Sequence, residues 1–306
     1  MTINEENETQ FYGLPVVDFN PQLGIENPTT QVYRLAYDYE QETKFKDILE
    51  KFLNDPRITD VPAIIIGHWE DAYEVSPDYV LQQLIEQRDK LPKLKALFVG
   101  DMTSEECEIS WIQQTDYAPL LKAFPLLEQL RVRGSNDLQF SQLRLYSLKT
   151  LIIETGGLPC SVIESVINAK LPALEHLELW LGTDEYGFDG DLNTIKPLLE
   201  MGAFPKLRYL GLRDSEIADD IAIEIAKSPL PKQLEILDLS MGTLTDNGAQ
   251  ALLNSEYIKS LKKLDLDFHF MSTTMMEKLE NLGIDVDVSD QQEEDEDGDR
   301  YVAVSE

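Results

Sequence analysis

Eight times along the 306-residue chain a short phrase returns: an aliphatic residue, two variable ones, an aliphatic, one variable residue, an aliphatic. The copies are VPAIII from Val61, LKALFV from Leu94, LEQLRV from Leu127, LKTLII from Leu148, LEHLEL from Leu174, LRYLGL from Leu207, LEILDL from Leu234 and LKKLDL from Leu261. Their middle aliphatics, Ile64, Leu97, Leu130, Leu151, Leu177, Leu210, Leu237 and Leu264, are spaced by 33, 33, 21, 26, 33, 27 and 27 residues. Periods of this size belong to stacked units that bury their apolar faces against one another, so no unit has a core of its own. Alternation within the last three residues of the phrase makes a short strand with one face inward.

What remains of each unit has room for a helix, except in the 21-residue unit. Five copies follow an apolar residue and a proline, at Leu91-Pro92, Phe124-Pro125, Leu171-Pro172, Phe204-Pro205 and Leu230-Pro231. Proline cannot continue the preceding helix and so marks the return to the strand. In DNGAQALLN, Asp246 reads as an N-cap, and Ala249, Leu252 and Leu253 form an apolar stripe at helical spacing. The fold class that follows is α/β, a leucine-rich-repeat solenoid or horseshoe, with parallel strands on the concave face and helices on the convex face. The expected organisation is an N-terminal cap with a first strand and helix over 1–58, the solenoid over 59–284, and an acidic C-terminal tail over 285–306.

Composition supplies a core, with 42% hydrophobic residues, and excludes several partners. Against 57 acidic residues stand 26 basic ones, a net charge of −31, which repels phosphate backbones and anionic membranes. Nucleic acid and membrane are therefore not expected. Nine of the fifteen residues from Asp285 to Asp299 are acidic, so the body retains −31 + 9 = −22. Two cysteines make no disulfide scaffold, the acidic start MTINEENE is unlike a signal peptide, and no apolar run reaches membrane-spanning length. The expected location is the cytoplasm.

The run LDLSMGTLTDNGAQALLNS from Leu237 resembles the strand, loop and helix consensus of ribonuclease-inhibitor-like leucine-rich repeats. A second resemblance rests on GDMTSEECEISWIQQTDYAPLL from Gly100, ETGGLP from Glu154, LPALEHLELWLG from Leu171 and the closing RYVAVSE. These are similar to segments of largely uncharacterised bacterial cytoplasmic leucine-rich-repeat proteins, some encoded beside radical-SAM, ATP-grasp-like and phosphatase-like proteins. The resemblance implies an accessory or scaffold role in a modification pathway and brings no catalytic motif.

A ligand would meet the variable strand positions. The residue between the last two aliphatics is successively Ile65, Phe98, Arg131, Ile152, Glu178, Gly211, Asp238 and Asp265. Two residues further on stand Gly67, Gly100, Arg133, Glu154, Trp180, Arg213, Ser240 and Asp267. The surface turns from apolar to charged to acidic along the chain. In the three 33-residue units the additional length follows the strand, as the loops Gly67–Pro77, Gly100–Gln113 and Gly182–Asp191. With strands about 4.8 Å apart, the second and third of these loops are roughly 14 Å from each other. The expectation is a trough floored by Arg131, Arg133, Glu154 and Trp180. Its walls would carry Asp101, Glu105, Glu106, Glu108 and Trp111 on one side, Asp184 and Tyr186 on the other. The plainer alternatives are that Arg133 and Glu154 merely pair across strands and that Trp111 and Phe188 fold back as packing.

No motif for chemistry stands out. His68, His176 and His269 belong to different units, and no metal-ligand or phosphate-binding spacing occurs. Cys107 lies among Glu105, Glu106 and Glu108, which disfavours a thiolate. The carboxylates at Asp101, Glu105, Glu106 and Glu108 could hold a hard cation. The expected function is a non-catalytic, cofactor-free scaffold that binds a protein or peptide of basic character. A metal-dependent enzyme or accessory subunit using the carboxylates near Asp101 and Glu106 is the alternative.

Overall fold

A computed structural model describes residues 6–38, 43–200 and 202–305. The chain divides into two compact units, one running to Leu151 with Ala169–Leu171, the other comprising Ile152–Asn168 and Pro172–Ser305.

In the first unit the strands are β1 (Gln10–Phe11), β2 (Leu14–Asp18), β3 (Val32–Leu35), β4 (Ala63–Ile66), β5 (Ala96–Val99) and β6 (Gln129–Arg133). Helices α1 (Phe45–Asn54), α2 (Asp78–Glu86) and α3 (Ala118–Ala123) alternate with them. β1 and β2 form an antiparallel hairpin, and from β2 to β6 each strand pairs in parallel with the next. The division of the chain falls inside β7 (Thr150–Glu154). No helix lies in the 21-residue spacing before it, which turns and isolated bridges fill instead.

In the second unit α4 (Cys160–Ile167) precedes β8 (His176–Gly182), α5 (Leu192–Ile195), β9 (Tyr209–Ser215), α6 (Ala218–Ile225), β10 (Ile236–Asp238) and α7 (Asp246–Asn254). β11 (Lys263–Asp265), α8 (Thr273–Glu280) and β12 (Asp285–Asp287) complete it. β8 to β12 are parallel neighbours in chain order. Parallel strands joined through helices at the predicted period make the fold an α/β leucine-rich-repeat solenoid.

The eight middle aliphatics are fully buried, and within each unit they are in register: Ile64 opposes Leu97 and Leu97 opposes Leu130 in the first, as Leu177, Leu210, Leu237 and Leu264 follow one another in the second. Between repeats, carboxylates clamp the next helix start. Asp219 accepts from the Thr245 N–H at 2.8 Å and hydroxyl at 2.6 Å, and Asp246 accepts from both groups of Ser272 at 2.7 Å. Asp246 is therefore not the N-cap of α7. Thr245 takes that place, its hydroxyl accepting from the Asn247 N–H, because the Asp246 carboxylate is engaged one repeat further on.

Chain expected to be tail takes part in the fold. Residues 285–287 form a strand because their alternating valines continue the apolar row, Val286 standing opposite Leu264. Val302 and Val304 are buried, and Tyr301 packs edge-on against Phe268 and Phe270. They dock where strands exit through Asp214, Met241 and Phe268, all with left-handed backbone (φ 54°, 70° and 59°). This conformation presents the Met241 carbonyl to the Ala303 N–H at 2.9 Å, while the buried Asp214 carboxylate accepts from Val304 N–H at 2.9 Å. Burial pushes the Asp214 carboxyl well above the usual carboxylate range.

Candidate functional site

Outward-facing residues of successive strands form rows, because parallel pairing holds repeat-equivalent positions side by side. In the first unit one such row reads Asp18, Arg34, Ile65, Phe98, Arg131. In the second, the row is Glu178, Gly211, Asp238, Asp265, Asp287.

The first row is already covered. Phe11 packs into a cluster with Ile65 and Phe98, its ring centroid 6.1 Å from that of Phe98, and Ile65 and Phe98 are left without solvent exposure. Ahead of Phe11, the Glu8 carboxylate lies 2.7 Å from the Arg131 guanidinium, which sits over the Phe98 ring. The Asn7 amide donates to the Asp101 carbonyl and to the Glu106 carboxylate at 3.1 Å. Beyond it, the Tyr12 hydroxyl donates to Glu128 at 3.5 Å. Residues 7–12, within the segment expected to form the N-terminal cap, thus lie across the strand face, because the Phe11 ring is buried against Ile65 and Phe98 while Asn7 and Glu8 keep polar partners.

Asp101 and Glu106 are committed to this arrangement. Asp101 is fully buried and accepts from the Glu8 N–H at 3.3 Å, with Arg133 at 4.0 Å. Burial pushes its carboxyl up to about 6, although Arg133 and Arg34 favour the charged form. Glu106 also accepts from the Thr103 N–H at 2.9 Å. Arg133 is buried, donates to the Met102 carbonyl at 2.7 Å and sits over Phe98. Glu105 is exposed and Glu108 half-buried. Among the described residues no group of three His, Cys, Asp or Glu is arranged to hold a metal ion. Burial, with the charge of Glu108, pushes the Cys107 thiol up to about 11, far from a reactive thiolate.

The two loop aromatics part ways. Trp111 is 55% exposed, whereas Phe188 is 2% exposed and serves as packing. Asp184 is exposed, its N–H donating to Glu216 at 3.1 Å, and Tyr186 is half-buried. The backbone of Tyr186 comes so close to Gly157 that a Cβ there would lie 2.3 Å from its carbonyl carbon, which explains a glycine in the short GGLP exit. Glu154 is buried.

In the second unit the sequence pointed to Trp180 and missed its surroundings. Trp180 is buried and its indole N–H donates to Glu178 at 2.8 Å. Glu178 also lies 3.0 Å from Arg213 and 3.2 Å from His176, whose ring stacks on Tyr209 with centroids 3.8 Å apart. Burial works against charge on Glu178, but the hydrogen bond with His176, the Arg213 guanidinium and the Trp180 indole outweigh it and hold the carboxyl at about 2. Arg213 continues to Asp238 at 3.4 Å, where the Tyr209 hydroxyl donates at 2.5 Å. Lys263 joins Asp265 at 2.6 Å and Asp287 at 3.4 Å. Gly211 leaves the notch into which Tyr209 and Glu178 lean, since a Cβ there would come within 3.0 Å of the Tyr209 ring. The signal that could have found this network is the 27-residue step linking Gly211, Asp238 and Asp265, read together with its flanks Tyr209, Arg213 and Lys263.

No family model matches the chain, and no curated protein does. Among solved structures, a protein from Bacteroides fragilis is 37% identical, the match covering 85% of this chain and 74% of that one, with a TM-score of 0.79. An internalin (InlF) from Listeria monocytogenes is 15% identical over 87% of this chain and 63% of its own, with a TM-score of 0.41. No helix among the described residues is long and apolar enough to cross a membrane.

Proposed function

The chain belongs to the family of the Bacteroides fragilis protein, and from that premise we propose that it is a non-catalytic scaffold whose second unit docks a basic segment of a partner protein on its strand face. One observation carries the reading. Four carboxylates of one row, Glu178, Asp238, Asp265 and Asp287, share two cations, Arg213 with the first pair and Lys263 with the second. With two cations among four carboxylates the row carries negative charge that its own cations do not cover, and burial together with the charge of Asp238 pushes the Asp265 carboxyl up. A lysine or arginine from a partner would relieve it, and the partner's approach would be accelerated at low salt.

The finer points rest on the same footing. The 27-residue units around α6 and α7, each with a full helix, support a ribonuclease-inhibitor-like subtype. A cytoplasmic scaffold accessory to a bacterial modification pathway, rather than an enzyme of it, fits a face built of ion pairs and a raised Cys107 thiol. Exposed Trp111 and Asp184 are available as further contacts in their own units.

The test is fluorescence titration of a lysine- and arginine-rich peptide against the intact chain and the Asp265→Asn/Asp287→Asn variant. The variant is expected to bind at least tenfold more weakly, and binding to the unsubstituted chain to weaken as salt rises. Equal affinity for the two proteins, or affinity indifferent to salt, would overturn the reading.

A further inference from the structure

The first unit's strand face is the exception in an acidic molecule. Its row places Arg34 and Arg131 on either side of Ile65 and Phe98, with Arg133 two residues on from Arg131. The segment lying there has the complementary chemistry, a carboxylate at Glu8 and, three residues on, a ring at Phe11. Glu8 meets Arg131 at 2.7 Å and Phe11 fills the hollow over Phe98. β1 is two residues long, and its hairpin turns through Tyr12 and Gly13, both left-handed (φ 51° and 72°). Two residues of ladder hold little, so the arm is seated mainly by its side chains, in the manner of an extended peptide in a groove. The surface also offers more than the arm takes. Arg34 donates through Nε to Asp18 at 2.6 Å, while its Nη1 is buried with no hydrogen-bond partner. A buried cationic donor of this kind is costly unless an acceptor arrives.

We propose that the strand face of the first unit is a second docking surface, for an extended acidic–aromatic segment of a partner protein, and that Asn7–Tyr12 occupies it in the free chain as a tethered stand-in. The partner segment carries a carboxylate three residues ahead of a large aromatic ring, with a further acceptor for Arg34. The tether gives the arm an effective concentration in the millimolar range, so an incoming segment has to outcompete it and its apparent affinity falls by the occupied fraction. This surface is separate from the acidic row of the second unit and calls for the opposite partner charge.

The probe is a fluorescein-labelled peptide with the sequence of residues 6–13, ENETQFYG, titrated against the full chain and its Glu8→Ala/Phe11→Ala variant. The variant is expected to bind the peptide at least tenfold more tightly than the unsubstituted chain, and adding Arg131→Glu to abolish that binding. A variant that melts cooperatively yet takes no peptide overturns the proposal. So does equal affinity for variant and unsubstituted chain, binding that survives Arg131→Glu, or a concentration-dependent dimer that exchanges arms. If the double variant loses its cooperative melt, Glu8→Lys alone keeps Phe11 in place and opens the charged end, and the same tenfold criterion applies. The basic peptide that reports on Asp265 and Asp287 serves as the separate readout of the other face.

Discussion

Position for position, Ile65, Phe98 and Arg131 in the first unit stand where Asp238, Asp265 and Asp287 stand in the second: outward, on consecutive parallel strands, between the same buried aliphatics. One face is apolar between arginines and lies under the chain's own arm, the other is a line of carboxylates stitched by Arg213 and Lys263. The difference teaches that the inward residues Ile64, Leu97, Leu237 and Leu264 carry the fold, leaving the outward row free to diverge. Divergence brings a different debt on each side. Apolar side chains facing out need a cover, which Phe11 provides, and closely spaced carboxylates need cations and hydroxyls, which Arg213, Lys263 and Tyr209 provide.

The comparison breaks most visibly at Arg213. Arg213→Ala leaves Glu178 and Asp238, both nearly buried, without their shared cation, and should cost about 3–5 kcal/mol in chemical denaturation. A loss below about 1 kcal/mol would mean that the ladder is ornament to the second unit. Next is Phe11→Ala. A fully buried phenylalanine typically costs about 3–5 kcal/mol, but this one sits on an arm that can lift, so the loss is capped near about 2 kcal/mol and should come with faster protease cleavage before Gly13. Equal losses at the two sites would erase the distinction between a cover and a ladder.

Acid titration gives the smallest and most selective effect, with opposite signs at Asp101 and Glu178. Glu178 is held at about 2 when folded, below its unfolded value of about 4.3, so its contribution is present above that value and lost as pH falls towards 2. Asp101 is raised to about 6, so its contribution is present below its unfolded value of about 3.9 and lost as pH rises through 6. Stability followed by thermal melting should therefore gain through Asp101 between pH 6 and 4 and lose through Glu178 below that. Asp101→Asn should flatten the upper limb and Glu178→Gln the lower one. If Glu178→Gln moves the upper limb, the assignment of the limbs to these two carboxyls fails.

The strands were legible because periodicity is carried by residues that all do the same thing: every middle aliphatic is fully buried. The outward row was legible as a list for the same reason, and its drift from apolar to acidic survives in the structure. Its occupants were not. Phe11 and Glu8 belong to no repeat, so nothing in their spacing ties them to Phe98 and Arg131. Asp285–Asp287 reads as tail because its aspartates dominate the composition, yet Val286 sets the strand register. Among the candidate residues, Asp101, Glu106, Arg131 and Arg133 do converge, on the arm rather than on solvent. Trp180 was found by its place in the row, while Glu178, Arg213 and Asp238 join it across repeats, a distance that charge counting along the sequence does not see.

The bond from Val304 to Asp214 spans 90 residues and sets a clock on synthesis. At about 5–20 residues per second, a ribosome that has just completed Asp214 needs about 5–20 s to supply the amide that its carboxyl awaits. Through that interval the strand exits at Asp214, Met241 and Phe268 stand unlatched, with apolar side chains that Tyr301, Val302 and Val304 later cover. A chain stopped short of Val304 keeps this gap for good. The second unit therefore closes its strand exits only once residues 301–304 are in place.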